Sequence, residues 1–462
     1  MKIKITDQVV GLIFETKYEK TVYSDAFTYS DISKAYGKNG FDAKKIEKIK
    51  LMKIKDNCGF LFSGFLKQVI EKAKEENIKI TEVKDERTKF PHQSKNYTNK
   101  ELEKYFPFNY VEHQTEALKR LLKINNGIIK MQTGSGKAEV IFAYIKETNL
   151  PTLILIDKVT LASQLRNRAE EFGIKNVGIW HGKEKIPGDV VFATIRSVGS
   201  YPSLNKFKVL ILDEIHHTSS ESFQAFLKKC LYPIRIGFSA TPDKGDKYLF
   251  AKICQFMGDV IFETDAETLI DNKVIAKPKI YFVEVFCPQT IDWPSAYQKC
   301  IIDNKERNKK IVDIVNNFEK PTLVLIKDVK YQQGEIIKEA IQKDSNKSVE
   351  YIHGSSKNDR IKIIEDFENG NLDVLISTNI LNEGVSIKNI ELLINASGGK
   401  SKVENLQKIG RGTRITKTKD TVTIIDFDDI GNSFTAKHSE MRKELYIKEG
   451  FTDINSYEPE GE

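Results

Sequence analysis

Residues 128–140 read Ile-Ile-Lys-Met-Gln-Thr-Gly-Ser-Gly-Lys-Ala-Glu-Val, and their types and spacing suit phosphate binding. Glycines let backbone N–H groups converge on an anion, and a helix that starts directly after them adds its positive end. Lys137 supplies a point charge for a β- or γ-phosphate. The candidate phosphate ligands are thus Thr133, Gly134, Ser135, Gly136, Lys137 and Ala138. A tight connection is the bland alternative, but an apolar strand before the turn and the helical spacing of Val140, Ile141, Ala143, Tyr144 and Ile145 after it favour the phosphate cradle. Ala138 departs from the pattern, because that position ordinarily carries a Ser or Thr hydroxyl that ligates Mg²⁺. Three readings stay open: a carboxylate and waters hold the metal alone, hydrolysis is slow, or the residue was changed on purpose.

Three further stretches could complete such a site. Asp213-Glu214-Ile215-His216 follows the apolar run Val209–Leu212. One carboxylate there can hold Mg²⁺ and the other can polarise a water. Two acids at the end of a buried strand are costly unless a cation joins them. Ser239-Ala240-Thr241-Pro242 follows another strand end and could sense a γ-phosphate, although alone it reads as a plain loop. Gln407-Lys408-Ile409-Gly410-Arg411-Gly412-Thr413-Arg414 carries two of the chain's 11 arginines within four positions. At i and i+3 they share a helix face and can neutralise a phosphoryl group in transfer. Surface ion pairing is their bland alternative. A glutamine amide matches the N6 donor and N7 acceptor of adenine, which makes Gln114 an adenine-reading candidate, a weak one by itself.

These residues need a scaffold, and the periodicity predicts one. Apolar runs recur: 152–156, 190–194, 209–212 and 234–238 are short and continuous, as expected of strands buried on both faces, and 161–172 is helical between the first two. The alternation predicts a parallel, doubly wound α/β sheet with ligand residues at the carboxyl ends of its strands. A second α/β series runs through 322–326, 349–352, 374–378, 392–395 and 422–426 without its own phosphate loop. The expected layout is a small basic α+β domain over 1–90, a first α/β domain over 100–275, a second over 296–435, and a charged helix with an acidic tail over 436–462. Residues 84–100 read as a linker, and 273–296, with Pro278, Pro288 and Pro294, as the connection between domains. Phe60, Phe62 and Phe65 could stack bases, but phenylalanines in so small a module are more often its core.

Bulk properties narrow the class. A chain of 462 residues has room for about three domains, and 40% hydrophobic with 30% charged residues is an ordinary globular balance. No apolar run approaches membrane-spanning length, and Met1–Asp7 lacks the apolar core of an export signal. The five cysteines are scattered, without a Cys-x-x-Cys pair, which points to a reduced, cytoplasmic protein. Residues 1–95 hold 20 Lys/Arg against 14 Asp/Glu, so most of the net charge of +7 lies there. A basic module beside a phosphate-binding core suggests a polyanion partner, with a solvated lysine surface as the alternative.

In order, these motifs resemble the superfamily 2 helicases and translocases. Gln114 resembles their Q motif, Thr133–Lys137 motif I, Asp213–His216 motif II, Ser239–Thr241 motif III, Asn382-Glu383-Gly384 motif V and Gln407–Arg414 motif VI. The likeness spans residues 105–415. Leu51–Phe65, Thr241–Lys244, Asn304–Asn308 and the small basic N-terminal domain narrow it to the phage branch-migration helicases of the UvsW type and their XPB-like relatives. The resemblance implies two tandem RecA-like domains with ATP and Mg²⁺ between them. Lys137 would hold phosphates, Asp213 the metal and Glu214 the water. Gly384 would contact nucleotide, and Gln407, Arg411 and Arg414 would act from the second domain. Nucleic acid would lie on Lys158, Thr194, Arg196 and Ser197 in the first domain and on His353, Gly354 and Thr378 in the second. Ser386 stands where motif V often has an acid. The implied partner is DNA, branched or forked, handled by a monomer in a host cytoplasm. An RNA helicase and a nucleotide-gated DNA-binding protein with little turnover compete with that expectation, and a restriction-type motor subunit less so.

Overall fold

A computed structural model describes the chain outside residues 32–35, 38–39, 42–45, 107–111, 133, 183, 216–220, 230–231, 244–245, 320, 328–331, 355–359, 379–386, 388, 402–419, 452 and 458–462. It is α/β throughout and divides into two compact units, Met1–Met131 with Gly136–Glu263, and Gln132–Ser135 with Thr264–Glu462. No described helix is long and apolar enough to cross a membrane.

The first unit opens with a five-stranded sheet in the order Lys53–Lys55, Cys58–Phe62, Val9–Ile13, Lys2–Ile5, Glu82–Asp85. Alternation explains its two faces. Ile3, Ile5, Val10, Leu12 and Leu61 are buried, while Lys2, Lys4, Ile13, Lys53, Lys55 and Phe60 point outward. The inner face packs in one cluster with Tyr23 of helix Lys17–Ala26 and with Val69 and Ala73 of helix Leu66–Glu75. Tyr23 also ties the helices together by donating its hydroxyl to the Val69 carbonyl at 2.9 Å.

The small α+β module expected over 1–90 does not close a core of its own. Its cluster continues without a break into the larger sheet, through Leu153, Leu155, Val191, Leu210, Leu212 and Phe256. The joint is the turn Ser63–Phe65. Gly64 lies so close to the carbonyls of Cys254 and Gln255 that a Cβ there would sit 2.1 Å and 2.6 Å from their oxygens. The Phe62 ring packs 4.5 Å from that of Phe256, and Gln68 Nε2 donates to Asp259 Oδ1 at 2.8 Å. Arg235 is fully buried beneath the joint and donates to the Phe256 carbonyl, the Tyr232 carbonyl and Ser63 Oγ. Burial pushes its guanidinium down to about 10, so it remains charged. The stretch 84–100 is likewise structured, with Glu82–Asp85 in the sheet and short helices Pro91–Ser94 and Asn99–Glu103.

The larger sheet has eight strands in the order Glu184–Ile186, Val177–His181, Val190–Thr194, Thr152–Ile156, Val209–Asp213, Ile234–Ser239, Asn126–Lys130, Val260–Glu263. All neighbours are parallel except the Glu184–Ile186 edge. Its central strands are buried on both faces, which is why they read as unbroken apolar runs.

The second unit holds a seven-stranded sheet in the order Val349–Ile352, Val374–Ser377, Thr322–Leu325, Leu392–Asn395, Thr421–Ile430, Lys277–Phe286, Ile454–Ser456. Every pairing is parallel. Residues 273–296, expected as the connection between domains, hold the strand Lys277–Phe286, which pairs along ten residues with Thr421–Ile430. The charged helix expected towards the C-terminus is present as Ser433–Lys448, with Arg442 and Tyr446 buried, and the strand Ile454–Ser456 follows it.

Gly64→Ala tests the joint. Two carbonyl oxygens stand where the methyl would go, so the variant is expected to lower the melting temperature of the first unit by several degrees. Calorimetry of the purified chain reads this directly, and an unchanged first transition would contradict the close approach.

Candidate active site

The site begins where the strand Asn126–Lys130 leaves its sheet. Lys130 lies level with Ser239, and Met131 N donates to the Ser239 carbonyl at 3.1 Å, extending the pairing by one residue. The chain then turns, with φ of 89° at Gly134 and 86° at Gly136, and helix Lys137–Thr148 starts. Ser135 is buried inside the turn and donates both its N–H and its hydroxyl to the Gln132 carbonyl. The left-handed conformation at Gly136 is one that only glycine adopts readily. Its Cα also lies against Gln114, so that a Cβ would fall 1.9 Å from Gln114 Nε2. Helix Glu112–Leu121 thereby seats Gln114 on the glycine turn. Gln114 Oε1 is buried and accepts no hydrogen bond among the described residues. An acceptor left open in this way fits the N6 donor of adenine.

On the other side of the turn stand the acids. Lys137 Nζ lies 3.3 Å from Glu214 Oε1. Glu214 has a left-handed φ of 50°, uncommon for a residue with a side chain, and its N–H donates to Asp213 Oδ1 at 3.1 Å. Burial, and secondarily Glu214, push the Asp213 carboxyl up to about 6 against the opposing pull of Lys137. Burial works to lower Lys137, but Glu214 and Asp213 together outweigh it and hold the ammonium above its ordinary value. The Lys137 ammonium thus faces both carboxylates. No group of three or more His, Cys, Asp or Glu among the described residues forms a metal cage. That donor set fits Mg²⁺, which keeps several waters and takes one or two carboxylates beside phosphate oxygens. Ala138 sits half-buried in the first turn of the helix, its methyl against the core of the first unit. It offers the metal nothing.

The nucleic-acid candidates fall on strand ends as expected. Lys158 follows the strand Thr152–Ile156 and precedes helix Val159–Glu171. Thr194 ends the neighbouring strand level with Ile156. Thr194 Oγ1 donates to Ser197 Oγ, which also accepts the Gly182 N–H, and Arg196 is exposed. In the second unit His353 and Gly354 follow Val349–Ile352, and Thr378 follows the adjacent Val374–Ser377, its N–H donated to the Ile352 carbonyl. Thr133, Gly384, Gln407, Arg411 and Arg414 lie outside the described residues.

Comparison with known proteins follows the same division. Residues 107–244 match the model of the type III restriction enzyme res subunit, and residues 301–416 match the helicase conserved C-terminal domain. A DNA 3'-5' translocase XPB2 of Sulfurisphaera tokodaii is 24% identical over 362 residues, 68% of this chain and 80% of that protein. The ATP-dependent DNA helicase uvsW of Enterobacteria phage T4 is 23% identical over 381 residues, 75% of each. The chain is a superfamily 2 helicase. Other curated helicase relatives are matched over about half their length. Among solved structures, the fragment of a putative HsdR subunit of a type I restriction enzyme from Vibrio vulnificus shares the fold, with a TM-score of 0.57 at 15% identity, covering 93% of this chain and 91% of that one. Members of this helicase family use ATP, typically with Mg²⁺, and act on nucleic acids.

The second unit of this helicase contains a buried network that the sequence reading passed over. Arg307, inside the stretch Asn304–Asn308, donates to Asp429 Oδ1 at 2.9 Å and to the Ala396 carbonyl at 2.8 Å. Arg442 donates to Asp426 and, at 2.9 Å, to the Gly399 carbonyl. Tyr297 donates its hydroxyl to the Ser397 carbonyl at 3.2 Å. Three side chains from separate helical segments therefore hold the carbonyls of Ala396, Ser397 and Gly399 in one turn, which precedes Gln407–Arg414 in the chain. The signal was available: arginine is scarce here, and acids, Asp426 and Asp429 among them, interrupt the strand Thr421–Ile430 shortly before Arg442.

Two variants test these arrangements. Gly136→Ala meets both a strained φ and Gln114, and is expected to weaken ATP binding about ten- to a hundred-fold, read with a fluorescent nucleotide. Arg442→Met leaves Asp426 buried without its cation and is expected to cost about 3–5 kcal/mol in unfolding of the second unit, measured by denaturant titration.

Proposed function

We propose that this helicase is an ATP-driven DNA translocase that remodels branched DNA such as forks and four-way junctions. The observation that carries the ATPase part is the convergence of Gln114, Gly136, Lys137 and the Asp213–Glu214 pair on one phosphate turn. In this reading Gln114 reads adenine, the backbone of Thr133–Gly136 cradles the phosphates and Lys137 pairs with their β/γ oxygens. Asp213 holds Mg²⁺ and Glu214 orients the attacking water. Mg²⁺ supplies neutralisation of the charge that develops on the phosphates. Gln407, Arg411 and Arg414 are assigned to the γ-phosphoryl group and Gly384 to the nucleotide. The DNA assignment draws on the relatives described as a DNA translocase and a DNA helicase. Lys158, Thr194, Arg196 and Ser197, with His353, Gly354 and Thr378, take the sugar–phosphate backbone, so recognition is of structure and not of sequence. We place the protein in a phage-infected cytoplasm, acting as a monomer.

Ala138 favours a second reading, a nucleotide-gated DNA-binding protein with little turnover, because the first turn of the phosphate helix offers no hydroxyl to the metal.

Steady-state ATP hydrolysis with no nucleic acid, linear duplex, forked DNA and structured RNA separates the readings. The strongest stimulation is expected from the fork. Stronger stimulation by RNA would replace DNA as the partner. Hydrolysis absent under every condition while ATP binds, and restored about ten-fold or more by Ala138→Thr, would establish the second reading.

A further inference from the structure

The outward face of the five-stranded sheet takes no part in the ATPase site. Residues that lie opposite one another across its antiparallel strands share a face. The register sets Lys4, Gly11, Phe60 and Lys53 in one row, and Lys2, Ile13, Cys58 and Lys55 in the next. Across the parallel edge, Lys84 lies beside Lys4 and Glu82 beside Lys2. Phe60 is 44% exposed in the middle of this face, and Ile13 is 47% exposed beside it. The three phenylalanines of this segment have separate fates. Phe65 is core, Phe62 packs on Phe256, and only Phe60 presents its ring to solvent. On one side of the ring the neighbour is Gly11, which leaves a trough; on the other it is Lys53.

Lysines outnumber acids on this face, and the acids gather at its Glu82–Asp85 edge. Five lysines point outward. Lys2 pairs with Glu82, and Lys4 and Lys84 both pair with Glu86. Lys53 and Lys55 form no ion pair among the described residues, and they stand next to Phe60 and Cys58 on the outer strand. Exposed ion pairs of this kind are worth little and yield to a phosphate.

We propose that this face binds an unpaired DNA strand, with a base stacked on Phe60 and the backbone running over Lys53, Lys55 and Lys4. A phosphate backbone alone would satisfy the lysines in duplex or single-stranded form. The ring selects between them, because an aromatic face reaches the face of a base only when that base is unstacked. The proposal rests on the DNA-motor reading and refines it, since a fork or junction being remodelled exposes unpaired bases. The strand is a ligand of the module, separate from the backbone contacts assigned to the strand ends of the α/β sheets.

Fluorescence anisotropy with an oligo-dT strand and with a duplex of equal length tests this on the full chain. Phe60→Ala is expected to weaken single-strand binding about ten-fold or more and duplex binding less than about two-fold. Phe60→Trp is expected to keep the affinity and to show fluorescence quenching on binding, against the background of Trp180 and Trp293. Lys53→Gln with Lys55→Gln is expected to weaken both ligands and to flatten the salt dependence. Equal affinities of wild type and Phe60→Ala for the single strand overturn the proposal, as does an unquenched Phe60→Trp. A loss confined to an RNA strand of the same length overturns the DNA assignment. Stimulation of wild-type ATP hydrolysis by DNA is measured alongside. If no DNA stimulates it, the motor reading falls; if stimulation is present and Phe60→Ala binds normally, only the proposal for this face falls.

Discussion

The structure depends on compensating two carboxylates at the end of a buried strand. Asp213 and Glu214 come directly after four buried apolar residues and are themselves half-buried. A lysine from a different strand–helix junction must therefore reach them. The sheet order makes that possible, since only Ile234–Ser239 lies between the acidic strand and the strand that feeds the glycine turn. Parallel strands bring their carboxyl ends to one edge, so the turn, Ser239 and the acids all emerge together. The left-handed backbone at Glu214 is the local cost, about 1–2 kcal/mol for a residue with a Cβ. Lys137 and the Asp213-bound N–H offset it. A pair of carboxylates held beside phosphate-binding geometry is a donor set that suits a divalent cation.

Arginine performs a different task from lysine in this chain. Lysines outnumber arginines by more than five to one and cover the surface, whereas Arg235, Arg307 and Arg442 are fully buried. Each joins segments far apart in sequence: Arg235 the N-terminal module to the first α/β sheet, Arg307 and Arg442 the strand Thr421–Ile430 to the turn at 396–399. A planar guanidinium has five donors in a fixed fork and is weakly hydrated, so it can satisfy several carbonyls where a lysine would leave them open. The Arg307 guanidinium also lies 4.0 Å over the Phe427 ring, a contact that an ammonium makes less well when packed on both sides.

What the sequence showed and what it hid follow from the kinds of forces involved. Strands such as Thr152–Ile156 and Val209–Asp213 were legible because burial on both faces demands a continuous apolar run. Lys277–Phe286 was not, because Pro278 and alternating lysines imitate a linker, while its pairing partners lie some 140 residues downstream. The glycine turn and the acid pair could be named from chemistry alone. Gln114 could not be placed, since a lone glutamine on a helix carries no signal until the fold sets it against Gly136. The joint between the N-terminal module and the first α/β sheet was hidden for the same reason. A polar stretch with a proline and asparagines looks like a tether, and nothing local reveals that Gly64 and Arg235 have already locked the module to its neighbour.

That lock changes what the N-terminal module can do. A domain on a flexible linker contributes binding through effective concentration and leaves orientation free. A module that shares a hydrophobic core with its neighbour has neither freedom, because sliding it would open apolar surface and unpair the Arg235 guanidinium. Whatever the outer sheet face holds is therefore carried together with the strands that end in Asp213 and Thr194, which belong to the same compact unit. A grip of that kind adds no reach, but it fixes the direction in which anything bound on the outer face leaves the module.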